Sequence, residues 1–226
     1  MFNVLYIHGM GGGADSRIPS ILREYFSSSV VYGASETRRP EVNIVAHTYD
    51  FDPETANGQI TSLVDNLQPQ LIIGESLGAI HALRVKGIPH LLISPALNAP
   101  YFLHFLSYLT FIPGITPLFN RIYRPREGDR QALCFTYGTL NKYCNHLKEA
   151  LSNSTKSGSS DLFVAYIGSR DHYRRTGVVS VRTWKKYFGN TFHVYEGSHF
   201  TEEEHIYRLI IPEIEKLLNI NKTQML

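Results

Sequence analysis

The chain has 226 residues, 43% of them hydrophobic and 19% charged. Hydrophobic cores stop growing near ~250–300 residues, so this length favours one domain, and the composition excludes wholesale disorder. Lys and Arg outnumber Asp and Glu by 22 to 20, which lacks the basic excess of a nucleic-acid binder, and two cysteines, Cys134 and Cys144, exclude a disulfide scaffold.

In chain order, Met1-Phe2-Asn3-Val4 carries no basic n-region and runs straight towards a motif at His8, so no signal peptide is expected and the reading is a cytoplasmic protein. The Asn-x-Ser/Thr matches at Asn153 and Asn221 are then chance. The apolar run 4–7 predicts a first strand, followed by His8-Gly9-Met10-Gly11-Gly12-Gly13. A helix is expected over 17–26, a strand over 42–45 and a helix over 60–67. The run 71–73 predicts another strand, ending in Gly74-Glu75-Ser76-Leu77-Gly78, with a helix over 77–85 and a strand over 91–93.

Residues 97–130 break the alternation. They are aromatic and proline-rich with no clear period, and they read as a cap-like insertion. His104, Ser107, Pro113, Gly114 and Pro117 interrupt the stretch, so it falls short of the ~20 apolar residues of a membrane span. Phe102, Phe105, Tyr108 and Phe111 could line an acyl pocket or form the insertion's own core. Residues 152–160 form a polar loop. Strands follow over 162–167 and 191–195, around a helix over 179–187. In the last helix Thr201 and Glu204 fit a capping box, Ile206, Ile210, Ile214 and Leu217 make an apolar stripe, and Pro212 predicts a kink or two abutting helices. Short continuous apolar runs alternating with helices predict an α/β fold, with a mostly parallel sheet of about six strands and helices on both faces.

Gly-x-Ser-x-Gly between a strand and a helix is the pattern of a nucleophile elbow. The turn is so tight that the residues two before and two after the serine must be small. Composition alone gives about 0.1 chance matches in a chain of this length. The plainer reading makes Ser76 a helix cap. A nucleophilic serine needs a base held by an acid, and backbone donors for the oxyanion. Asp171, in Gly168-Ser169-Arg170-Asp171, and His199, in Glu196-Gly197-Ser198-His199-Phe200, both follow strands, and parallel strands bring their C-terminal ends to one side. Asp161 precedes its strand and points to the wrong end, and Asn98 cannot serve as an acid. Leu77 and Met10 are the expected oxyanion N–H groups, and His8, Gly9 and Gly11 are expected beside the substrate.

Gly9-x-Gly11-x-x-Ala14 also fits a dinucleotide fingerprint. That reading wants an acid about 20 residues on; Asp50 comes too late, and Ser76 stays unexplained. No local spacing of His, Asp or Cys suggests a metal site, and Arg170, Arg174 and Arg175 read as a solvated basic face.

Through Tyr6-Ile7-His8-Gly9, Ile73 to Gly78, Ser94-Pro95-Ala96-Leu97-Asn98, Gly168 to Asp171 and Glu196 to Phe200, the chain resembles the α/β-hydrolase superfamily, and more narrowly the small bacterial YqiA-type esterases. The resemblance implies a minimal hydrolase fold over residues 1–226 that lacks the usual first two strands. It also implies Ser76 as nucleophile, His199 as base, Asp171 as acid, Met10 and Leu77 as oxyanion donors, a carboxylic ester or thioester as substrate, and no cofactor. A catalytically silent binder of an apolar ligand, or a dinucleotide-dependent oxidoreductase, is the alternative.

Overall fold

The computed structural model describes residues 1–28, 30–32, 35–37, 41–124 and 127–220; the Asn221 motif lies outside them. The elements in chain order are β1 (Phe2–Ile7), α1 (Arg17–Ser27), β2 (Val30–Tyr32), β3 (Ser35–Thr37), β4 (Val42–Ala46), α2 (Pro53–Leu67), β5 (Leu71–Glu75), α3 (Gly78–Ala82), β6 (His90–Ile93), α4 (Ala99–Leu109), α5 (Ile115–Ile122), α6 (Tyr137–Leu151), β7 (Phe163–Gly168), α7 (His172–Arg175), α8 (Val181–Phe188), β8 (Phe192–Tyr195), α9 (Glu203–His205) and α10 (Ile211–Leu217).

Six strands form one sheet in the order β4-β1-β5-β6-β7-β8, every neighbouring pair parallel. β2 and β3 pair separately as an antiparallel ribbon. Because side chains alternate across a strand, β1 sends Leu5 and Ile7 into one core and Val4 and Tyr6 into the other. The first core packs against α2, α3, α6 and α8; the second is covered by α1 and the C-terminal helices. Both faces are therefore buried, which explains why the strands read as continuous apolar runs.

Local chemistry sets several boundaries. α2 starts seven residues before the expected 60, because Asp52 caps it by accepting from the N–H groups of Glu54 and Thr55, with Pro53 at its first turn. α6 is a helix that the sequence reading missed; Thr136 caps it, and Leu140, Tyr143, Leu147 and Ala150 are its buried stripe. Residues 97–130 hold two helices, α4 and α5. The expected capping box at Thr201 does not form. Glu202 is the N-cap residue, and the Thr201 hydroxyl is spent on the Tyr195 hydroxyl at 3.1 Å. The kink expected at Pro212 is realised as a π-helical turn, Ile206–Ile210, running into α10 with Pro212 in its first turn.

Candidate active site

The strand order reverses around β1 and β5, so the loops leaving these two strands flank a crevice at the C-terminal edge of the sheet. The β5 loop holds Ser76 at φ +50°, a left-handed conformation that a side chain adopts only under constraint. The constraint is steric. A Cβ on Gly74 would stand 2.8 Å from the Ala82 Cβ, and one on Gly78 would collide with the carbonyl oxygens of Ile7 and His8. Only glycine lets α3 leave β5 this closely. The Ser76 N–H donates to the Ile93 carbonyl at 2.9 Å, and its carbonyl accepts from Ala96 at 3.0 Å, so the neighbouring strand pins the turn.

Asp171 and His199 arrive from the ends of β7 and β8, which run in register with Gly168 opposite Tyr195. The Asp171 carboxylate is buried. One oxygen accepts from the Tyr173 N–H at 2.8 Å, and the other lies 2.8 Å from His199 Nδ1. Burial alone raises its pKa, but the His199 hydrogen bond, the imidazole's charge and the Tyr173 N–H outweigh burial and hold it below the usual carboxylate value. An ionised carboxylate can only accept, so the proton belongs on Nδ1. That leaves the Nε2 lone pair facing the Ser76 hydroxyl, 3.0 Å away. The ring of Tyr173 stands edge-on to His199 at 4.6 Å and fixes the imidazole's tilt.

On the other side of the crevice, a Cβ on Gly9 would meet the Ser76 Cβ at 3.0 Å, so this loop passes directly beside the serine. Met10 is 41% exposed, and among the described residues the N–H groups of Met10 and Leu77 donate to no backbone or side-chain acceptor. The Gly11 N–H is engaged by Gln131 Oε1 at 3.1 Å. His8 differs from the expectation of a substrate contact. Its ring is wholly buried and stacks on Tyr49 at 4.1 Å, and Nδ1 donates to the Gly9 carbonyl at 2.7 Å. Burial, with Arg130 adding to it, pushes its pKa down to about 4 against the opposing pull of the Gly9 bond. It is a neutral ring that shapes the loop. Phe102 and Phe105 are 47% and 69% exposed on α4 and do not form an insertion core.

Sequence reasoning missed two residues that hold this loop. Tyr49 donates its hydroxyl to the His8 carbonyl, and Gln131 accepts from Gly11 while its amide donates to the carbonyls of Tyr49 and Asp50. Asn98, at the place of an absent acid, clips the chain after α7 by donating to the Gly177 carbonyl at 2.8 Å. Asp161 accepts from Gly87 and Asn153 at the opposite end of its strand.

No protein-family model matches the chain, and no curated protein does. Solved structures do. A monoacylglycerol lipase from Paleococcus ferrophilus superposes with a TM-score of 0.58 at 15% identity, covering 96% of this chain and 94% of its own. An esterase from Exiguobacterium antarcticum gives 0.58 at 10% identity over 96% and 92%. A thermophilic esterase from Thermogutta terrifontis gives 0.56 at 12% identity over 97% and 90%. This chain has the α/β-hydrolase fold. Among the described residues no helix is long and apolar enough to cross a membrane.

Proposed function

We propose that the protein is a serine hydrolase of carboxylic esters or thioesters. The reading rests on one observation: a hydroxyl at a strained turn, an imidazole and a buried carboxylate form a continuous chain with links of 3.0 and 2.8 Å. The lipase and esterases among its structural neighbours support the same class.

Ser76 Oγ attacks the ester carbonyl carbon while His199 Nε2 takes its proton. Asp171 holds the imidazole tautomer and stabilises the cation. The N–H groups of Met10 and Leu77 donate to the oxyanion, helped by the positive end of α3. Collapse breaks the bond to the leaving group, which accepts the proton from His199. Water, deprotonated by the same imidazole, then attacks the acyl-enzyme and releases the acid. Gly9 and Gly11 border the substrate without side chains of their own.

A fluorophosphonate probe, which modifies activated serines, tests this. Ser76 is expected to be labelled, and labelling is expected to vanish in His199→Ala. Ser76→Ala is expected to lower ester hydrolysis on the order of 10⁴-fold or more with the fold intact. An unlabelled Ser76 with saturable binding of a fatty acid, or stabilisation by a dinucleotide, would replace the reading with a binding protein or an oxidoreductase.

A further inference from the structure

We propose that the α4–α5 hairpin docks this protein on an anionic lipid surface. The helix α4 is turned inside out for a soluble protein. Pro100, Leu103 and Ser107 are buried on one side, while Phe105 and Tyr108 stand exposed on the other. The hairpin tip adds exposed Phe111 and Ile112, and α5, with no buried residue at all, adds exposed Leu118 and Ile122. Single exposed apolar residues are ordinary, but this many within one stretch of chain mark a surface that meets something else.

Charge identifies the occupant. From 97 to 124 the sequence contains no Asp or Glu, and its only Lys or Arg residues are Arg121 and Arg124. Both are exposed, and among the described residues neither forms an ion pair, whereas Arg130, just beyond, is paired with Asp15. A second copy docked through residues 97–124 would set these guanidinium groups against each other, the exposed acids Glu127 and Asp129 lying beyond that stretch. Lipid phosphates and carboxylates present the opposite sign. Phenylalanine and tyrosine side chains beside arginine match the boundary between headgroups and acyl chains, where rings bury their carbon and a hydroxyl stays wet.

The test is co-sedimentation of the full chain with phosphatidylcholine vesicles, with and without phosphatidylserine. Pelleting is expected with the anionic vesicles and is expected to weaken as salt rises. Arg121→Gln and Arg124→Gln are each expected to lower the partition coefficient roughly fivefold on the anionic vesicles. The double variant Phe111→Ser with Ile112→Ser is expected to lower it at least ~10-fold. Phe111 also meets the Tyr137 ring at 4.8 Å, so Ile112→Ser alone is the folding control: it is expected to weaken pelleting with an unchanged circular dichroism spectrum and melting temperature. Ser76→Ala is expected to pellet like the parent, so docking stands or falls apart from hydrolysis. Two results overturn the proposal: no pelleting on anionic vesicles, or a dimer in analytical ultracentrifugation that the Phe111 and Ile112 changes dissolve while vesicles capture nothing.

Discussion

The C-terminal edge of the sheet and the α4–α5 hairpin are joined within five residues of chain, at Ser94 to Asn98, yet they solve burial in opposite ways. At the edge, the reacting polar groups are removed from water and gain partners: Asp171 accepts from Tyr173 and His199, and His199 reaches Ser76. On the hairpin, apolar groups stay largely in water: Phe105, Ile112 and Ile122 are more than half exposed, and Phe111 is 67% exposed although its ring meets Tyr137 at 4.8 Å. A buried polar group without a partner costs ~1–3 kcal/mol, so the first arrangement persists only if it is nearly complete. One region is rigid because it is over-determined. The other is free to be specified by its surroundings.

The largest expected effect breaks the first half of this contrast. Asp171→Asn keeps the size of the side chain but can donate to Nδ1, which moves the imidazole proton to the wrong nitrogen. A fall in kcat of about 10³–10⁴-fold is expected, with little change in KM. Steady-state kinetics on an ester panel would read it, and an unchanged kcat would show that the carboxylate has no part in the reaction.

Next comes packing. Leu92 is fully buried in the core shared with α2, α3, α6 and α8, and Leu92→Ala is expected to lower stability by about 2–5 kcal/mol in urea unfolding. Acid sharpens the picture further. His8 and His81 are buried and neutral, with pKa values pushed down to about 4 and about 3, in both cases chiefly by burial. The unfolded chain binds protons near the ordinary histidine value of about 6.5, so it takes up protons that the folded state refuses. Stability is therefore complete above pH ~6.5 and falls as pH drops towards the folded values, by up to ~1.4 kcal/mol per pH unit for each ring. Among the described residues neither nitrogen of His81 has a hydrogen-bond partner, so His81→Phe should flatten the slope of melting temperature against pH without loss at neutrality. An unchanged slope would show that His81 does not titrate in this range. The smallest effect belongs to the hairpin: Leu118→Ser should change stability by no more than ~0.5 kcal/mol. A loss approaching that of Leu92→Ala would show that the exposed band is part of the folding core.

Much of this was legible in the sequence because steric demand leaves a mark. The elbow needs glycines at 74 and 78, and the strands covered on both faces read as unbroken apolar runs. Residues whose roles are created by tertiary contact left no mark. Gln131 and Tyr49 meet the glycine loop from 120 and 41 positions away. His8 was readable as part of that loop but not as a buried ring. The start of α2 was written in Asp52-Pro53, yet periodicity begins only near Ile60. α6 was obscured by Gly138, Asn141 and Asn145, weak helix formers that its cap and packed stripe override. Thr201 failed as a cap because a distant-looking competitor, Tyr195, lies within reach of its hydroxyl.

Gln131 deserves a mechanical description. It is a buried anchor on the chain returning from the hairpin, its own N–H donates to the Gly12 carbonyl at 2.7 Å, and its side chain grips Gly11 on one side and the 49–50 backbone on the other. The hairpin's root and the amide at Met10 are thus stitched to a common post. The loop carrying the Met10 N–H is therefore held by one side chain that is remote in sequence, and Gln131→Ala is expected to loosen it.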